Sequence, residues 1–131
     1  MVLKPSASIG SITRPAVWGF EDEYVTAIAQ KMIENDIGAI IITSQSIAVG
    51  MITERDIVEK VVKAGKDPRK IRAREVMSSP VTTIESDKSI ADALKLMREQ
   101  DIRRLAVIDR DKPTFLGIVT IRRILDALVA T

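Results

Sequence analysis

The hydrophobic pattern of this chain changes period several times, and later does so again in the same order. From Tyr24 the apolar residues fall at Val25, Ile28, Ala29 and Met32, a spacing that lines one face of a helix, and Asn35-Asp36 ends it. Gly38 opens the continuous run Ala39-Ile40-Ile41-Ile42-Thr43, whose β-branched character predicts a strand buried on both faces. Ser44-Gln45-Ser46 reads as a turn and Ala48 to Ile52 as a second strand. Ile57, Val58, Val61 and Val62 then restore the helical spacing. Ahead of these, Pro15–Gly19 suits a short extended segment. Residues 1–14, with Pro5, Gly10 and several serines, suit an irregular arm with a short helix near 8–13.

The second half repeats this order. Val81-Thr82-Thr83-Ile84 is extended, behind a Pro80 that disfavours helix. Ile90, Ala93, Leu94 and Met97 reproduce the first helical stripe at an offset of 65, and Leu105–Ile108 matches the β-branched run. The turn Asp109–Pro113 is two residues longer, so Ile124, Leu125, Leu128 and Val129 match the last stripe at an offset of 67. Each half reads β-α-β-β-α. A period this long, seen only twice, is a duplicated module and not a solenoid. A half of about 50–60 residues buries little surface alone, so one core shared by the halves is expected. The predicted fold class is α/β (α+β), with two pseudo-symmetric motifs packed sheet to sheet. The expected boundaries are an arm at 1–14, motif 1 at 15–63, a basic linker at 64–76 and motif 2 at 77–131.

Composition narrows the chemistry. Among 131 residues there is no cysteine and no histidine. Disulfides, thiol chemistry and the histidine-based triads are therefore excluded, and a metal site would have to rely on carboxylates, a poor set for zinc. Met32, Met51 and Met97 fall on core positions, and Trp18, Phe20 and Tyr24 suit the core or a dimer interface. The net charge is only +2, but Lys60 to Arg74 holds seven basic residues against one acid, Asp67. That local excess reads as a helix tail and linker, with nucleic-acid binding as the alternative. No apolar run approaches the roughly 20 residues that span a bilayer, and no signal-peptide pattern opens the chain. The expectation is a cytoplasmic protein with no membrane contact.

The repeat sharpens at one turn. Gly50-Met51-Ile52-Thr53-Glu54-Arg55-Asp56-Ile57-Val58 returns as Gly117-Ile118-Val119-Thr120-Ile121-Arg122-Arg123-Ile124-Leu125, with Arg123 where Asp56 stood. A strand ending into a helix leaves backbone N–H groups free to hold an anion or a hydroxyl. Thr53 and Asp56 also fit a helix cap, threonine at the N-cap and an acid three residues on. The two roles are compatible.

These paired halves, the Gly50-x-x-Thr53-x-x-Asp56 turn and Val76-Met77-Ser78-Ser79-Pro80 before the second copy resemble a tandem CBS-domain pair, also called a Bateman module. The resemblance covers residues 15–131. It implies a regulatory module and no enzyme, with no required cofactor, that holds adenosine-containing ligands (AMP, ADP, ATP or S-adenosylmethionine) in clefts between the halves. It also implies a homodimer of pairs. By motif match, Asp56 would bond the ribose hydroxyls with Thr53 nearby, Val81-Thr82-Thr83 would support the adenine, and Arg103 and Arg104 would reach phosphate. A carboxylate accepting from both ribose hydroxyls and an arginine gripping phosphate are chemically apt. The second cleft would use Thr120 with Arg123, and Ala16-Val17-Trp18 as base platform. It lacks the acid, and has Gly38 and Ala39 in place of the arginine pair. One good site per chain is expected. A stand-alone pair carries no effector domain, so its output would pass to an effector protein of unknown identity. A nucleic-acid-binding or scaffold role for the 60–74 stretch is the alternative. Hydrolysis of a bound nucleotide lacks a general base.

Overall fold

The computed structural model describes residues 3–129. It divides into two compact units, Ala16–Val81 and the residues up to Pro15 together with those from Thr82 onward. In the first, strands β1 (Trp18–Phe20), β2 (Ala39–Ser44) and β3 (Ile47–Thr53) form a sheet in that order, with helix α1 (Val25–Asn35) between β1 and β2. Helix α2 (Glu54–Ile57) leaves the end of β3 and widens into a π-helical stretch, Val58–Val62, where Lys63 N–H bonds the Val58 carbonyl at 2.8 Å. A short helix α3 (Ala73–Val76) follows. The other unit repeats the plan with β4 (Thr83–Glu85), α4 (Ile90–Gln100), β5 (Arg104–Ile108), β6 (Phe115–Thr120) and α5 (Ile121–Val129). The mixed α and β class, with its two β-α-β-β-α motifs, is as the periodicity predicts.

Register repeats as closely as order does. β1 runs parallel to β2, and β2 antiparallel to β3, with Ile42 opposite Gly50 and a bulge directly after. In the second sheet Val107 faces Gly117, and the bulge falls at the same place. Both first helices end on an aspartate with left-handed backbone, Asp36 at φ 50° and Asp101 at φ 53°. Aspartate tolerates that conformation better than most side chains.

Each unit has a buried cluster of its own. Val25, Ile28, Ile40, Ile42 and Ile52 anchor one, and Ile90, Leu105, Val107, Val119 and Ile124 the other. A flanking segment enlarges each. Ala73 and Val76, from α3, complete the first cluster, and Ile9 and Ile12, from a 3-10 turn over Ile9–Ile12 in the arm, complete the second. These segments do matching work with the backbone as well. Val25 and Thr26 N–H groups at the start of α1 bond the carbonyls of Ile71 and Pro68 at 3.0 and 3.1 Å. Ile90 and Ala91 at the start of α4 bond those of Ala7 and Pro5, both at 2.9 Å. Each segment then joins the edge of a sheet, Ser78 bridging to Met51 and Arg14 to Ile118. Residues 5–14 and 68–78 are thus equivalent leading segments. The stretches expected as arm and linker supply core side chains and helix-capping carbonyls.

The conserved-register glycines lie under these segments. A β-carbon at Gly50 would stand 2.5 Å from the Met77 sulfur, and one at Gly117 would strike the Arg14 carbonyl oxygen. Met32 and Met97 are buried as expected, whereas Trp18, Phe20 and Tyr24 are exposed and so do not fill the core. Gly117→Ala sets its new carbon against a backbone atom and is expected to destabilise by about 1–3 kcal/mol. Gly50→Ala meets the movable end of a methionine and should lose less. Thermal melts of the two variants check this, and equal losses would contradict it.

Candidate functional site

The turn from β3 into α2 gathers the first candidate residues. Thr53 ends the strand with extended backbone and serves as N-cap. Its hydroxyl accepts from Asp56 N–H at 3.1 Å, while Asp56 Oδ2 accepts from Thr53 N–H at 2.9 Å and lies 3.1 Å from the Thr53 hydroxyl. The capping box foreseen from spacing is therefore formed. The other oxygen, Oδ1, accepts from Ser78 Oγ at 3.3 Å and from Lys60 Nζ at 3.1 Å. Lys60 also donates to the Val76 carbonyl at 2.9 Å. Both carboxylate oxygens are engaged, and Asp56 is only 9% exposed.

The electrostatics follow from these partners. Burial alone pushes the Asp56 carboxyl up, but the Thr53 N–H bond, the hydrogen bond and charge of Lys60, and the Thr53 hydroxyl together outweigh it. The group is held below the usual aspartate value and is ionised at neutral pH. What results is a nearly buried, acceptor-only group at a helix start, two of whose partners are side chains that can rotate away.

Lys60 and Ser78 were not among the predicted site residues. Lys60 lies four positions after Asp56, a spacing at which an opposite charge meets its partner on a helix, so the signal was available. Ser78 is 22 residues away in sequence, and only the bridge to Met51 brings it here.

In the other unit the corresponding turn has half of this arrangement. Arg123 N–H donates to the Thr120 hydroxyl at 3.1 Å, so the threonine caps α5, but no acid returns the bond. The Nε of Arg123 is buried without a hydrogen-bond partner among the described residues. Arg104 pairs in register with Thr120, and the Arg103 carbonyl accepts from Ile121 N–H at 2.9 Å, so Arg103, Arg104, Thr120 and Arg123 share one turn. Both Arg103 and Arg104 are exposed. Gly38 holds the equivalent place beside Glu54, whose N–H bonds the Gly38 carbonyl at 3.0 Å. Val81 and Thr82 precede β4, Thr83 begins it, and all three are half-buried. Val17 is half-buried just before β1, and Trp18, its first residue, is exposed.

Four of the seven basic residues of the 60–74 stretch engage their side chains with partners within their own unit. Lys60 is bound to Asp56, Arg69 to Asp67 and Arg74 to Asp22, and Arg72 donates to the Asp22 carbonyl while lying over the Tyr24 ring.

Comparison with known proteins agrees with the fold. The CBS domain family matches the chain twice, over residues 8–63 and 73–130. The chain belongs to that family, as a tandem pair. An uncharacterized protein of Methanopyrus kandleri is 43% identical over 131 residues, 96% of this chain and 66% of that protein. Hypoxic response protein 1 of Mycobacterium tuberculosis is 40% identical over 101 residues, 76% of this chain and 69% of that protein. The chain thus spans about two thirds of the length of these relatives. A crystal structure of Hypoxic Response Protein I with two coordinated zinc ions superposes with a TM-score of 0.81 at 36% identity, covering 91% of this chain and 97% of that one. This chain lacks the histidine and cysteine that a zinc site ordinarily needs. A hexameric CBS-CP12 protein from bloom-forming cyanobacteria superposes at 0.76 and 28% identity, over 95% of this chain and 71% of that one. CBS-domain pairs are typically regulatory ligand-binding modules. Among the described residues, no helix is long and apolar enough to cross a membrane.

The lowered value of Asp56 has a pH signature. A carboxyl whose folded value is depressed adds stability above about pH 4, and that stability is lost as pH falls through the folded value. Asp56→Asn should therefore melt below the wild type at neutral pH, with the gap closing in acid. Thermal midpoints taken across pH measure it, and a gap of constant size would contradict the depressed value.

Proposed function

We propose that this CBS-domain pair is a regulatory sensor of an adenosine-containing ligand, with the Asp56 carboxylate reading the ribose. The observation that carries this reading is the state of that carboxylate, nearly buried yet ionised, with Oδ1 held by the hydroxyl of Ser78 and the ammonium of Lys60. Two ribose hydroxyls are donors of the kind that Ser78 already presents. The Ser78 bond, at 3.3 Å, is the longest of those to the carboxylate. The helix start and Thr53 favour negative charge nearby, which suits a phosphate-bearing ligand.

The same geometry supplies an output. Ser78 and Lys60 tie residues 76–78 to the turn. A ligand that takes their place on Asp56 loosens the leading segment from the β3–α2 corner. Such a change moves a self-association or partner equilibrium only through different ligand affinity for the two states.

A thermal-shift screen with AMP, ADP, ATP and S-adenosylmethionine tests it. Ligand at 100 times its dissociation constant should stabilise by about 2.7 kcal/mol. Asp56→Ala should abolish the response. Asp92 completes a capping box with Ser89 at the start of α4. Asp92→Ala should therefore lose a comparable cap, about 1 kcal/mol, and keep the full response. Loss of response in both variants would assign Asp56 to capping alone, and no shift with any of the four ligands would overturn the sensor.

A further inference from the structure

The corner where β6 runs into α5 inverts the charge of the corner where β3 runs into α2. In the first copy the Asp56 carboxylate is held by the Ser78 hydroxyl and the Lys60 ammonium. Ser78 bridges to Met51 on β3, and the residue that bridges to the matching Ile118 on β6 is Arg14. Asp56 itself is matched by Arg123, and Lys60 by Ala127. Ala39, the register partner of Thr53, is matched by Arg104, the register partner of Thr120. An acid held among donors has become three arginines around a threonine.

Strand pairing sets these groups side by side. Ile118 and Thr120 are two residues apart on β6 and share one face of the sheet. Arg14 lies opposite the first and Arg104 opposite the second, so both side chains stand on that face beside Thr120. Arg123 joins them through its N–H bond to the Thr120 hydroxyl at 3.1 Å. Arg14 and Arg104 are exposed. Among the described residues none of the three arginines enters an ion pair. The first turn of α5 holds no acid, and Nε of Arg123 is buried without a hydrogen-bond partner. Cations gathered at a helix start oppose its dipole, and a buried donor left unpaired carries a further cost. What this corner lacks is an acceptor of negative charge.

We propose that this corner binds a small oxyanion of the phosphate class, which takes the place that the Asp56 carboxylate has in the first copy. Its oxygens accept from the guanidinium groups of Arg14, Arg104 and Arg123, a side chain suited to bidentate bonding of phosphate. They also accept from the Thr120 hydroxyl, whose proton is left free by its acceptor role toward Arg123 N–H. With no carboxylate at the corner to receive ribose hydroxyls, recognition rests on the anion alone. The inference is independent of the Asp56 reading, because the three arginines and Thr120 all belong to the other unit.

Calorimetric titration of the full chain with inorganic phosphate and pyrophosphate, against sodium chloride of equal ionic strength, tests it. Both phosphates should bind saturably, and chloride should not. Arg123→Asp rebuilds the threonine-and-acid cap of the first copy, so it should melt no lower than the wild type in phosphate-free buffer. Its pyrophosphate affinity should nevertheless fall at least about tenfold, the loss of one charge-assisted hydrogen bond. Arg104→Ala should lose a comparable factor. Arg122→Ala, whose side chain is paired with Asp126, and Asp56→Ala should both bind as the wild type does. Glucose 6-phosphate separates the sources of the anion: binding tighter than that of inorganic phosphate assigns the corner to a phosphomonoester, and equal or weaker binding to the free ion. No saturable binding of either phosphate, undiminished affinity in Arg123→Asp, or loss of binding in Asp56→Ala would each overturn the site.

Discussion

A three-stranded sheet with its helices leaves two debts in backbone hydrogen bonding, the free N–H groups at the start of the first helix and the open edge of the last strand. In this protein a leading segment meets both, and the solution is used twice. Pro68 and Ile71 carbonyls cap α1 and Ser78 bridges to Met51; Pro5 and Ala7 carbonyls cap α4 and Arg14 bridges to Ile118. The same segments insert Ala73 with Val76, and Ile9 with Ile12, into the two clusters. Everything else about the units depends on this arrangement, including the glycines beneath the segments and the position of Ser78 at the candidate site.

Cap and candidate site share atoms at Asp56. A carboxylate at the third position of a helix satisfies the N-cap backbone whether or not a ligand is present. Here one oxygen serves that structural role, and the other faces Ser78 and Lys60. This division lets one residue be fixed in orientation and still exchange partners. In the second copy Thr120 keeps the cap without an acid, which shows that the fold tolerates the loss and that the carboxylate of the first copy is not required by helix formation alone.

Duplication followed by divergence also shaped the surface. The two units keep the same bulge, the same left-handed aspartate and matching strand pairings. The corners where β3 and β6 run into their helices differ at the positions that set charge. Internal symmetry thus preserved the parts under packing constraint and released the parts facing water.

The periodicity of the chain alone determined both helices and both later strands of each motif, because alternation of buried and exposed positions is written in side-chain type. The turn Thr53-x-x-Asp56 was legible for the same local reason, a cap whose members are three residues apart. Only the tertiary structure decided what residues 5–14 and 68–78 do. Their contribution is mainly through carbonyl oxygens, which every residue possesses and no sequence pattern reveals. Ser78 was legible only as part of the Val76–Pro80 motif and not as a partner of Asp56, because the two are 22 positions apart and the contact exists only once the chain has folded back along β3. The helical stripes announced apolar faces correctly, but which half of each stripe would be covered was settled by packing: Val61 and Ile124 went inside, and Val58 and Leu125 stayed out.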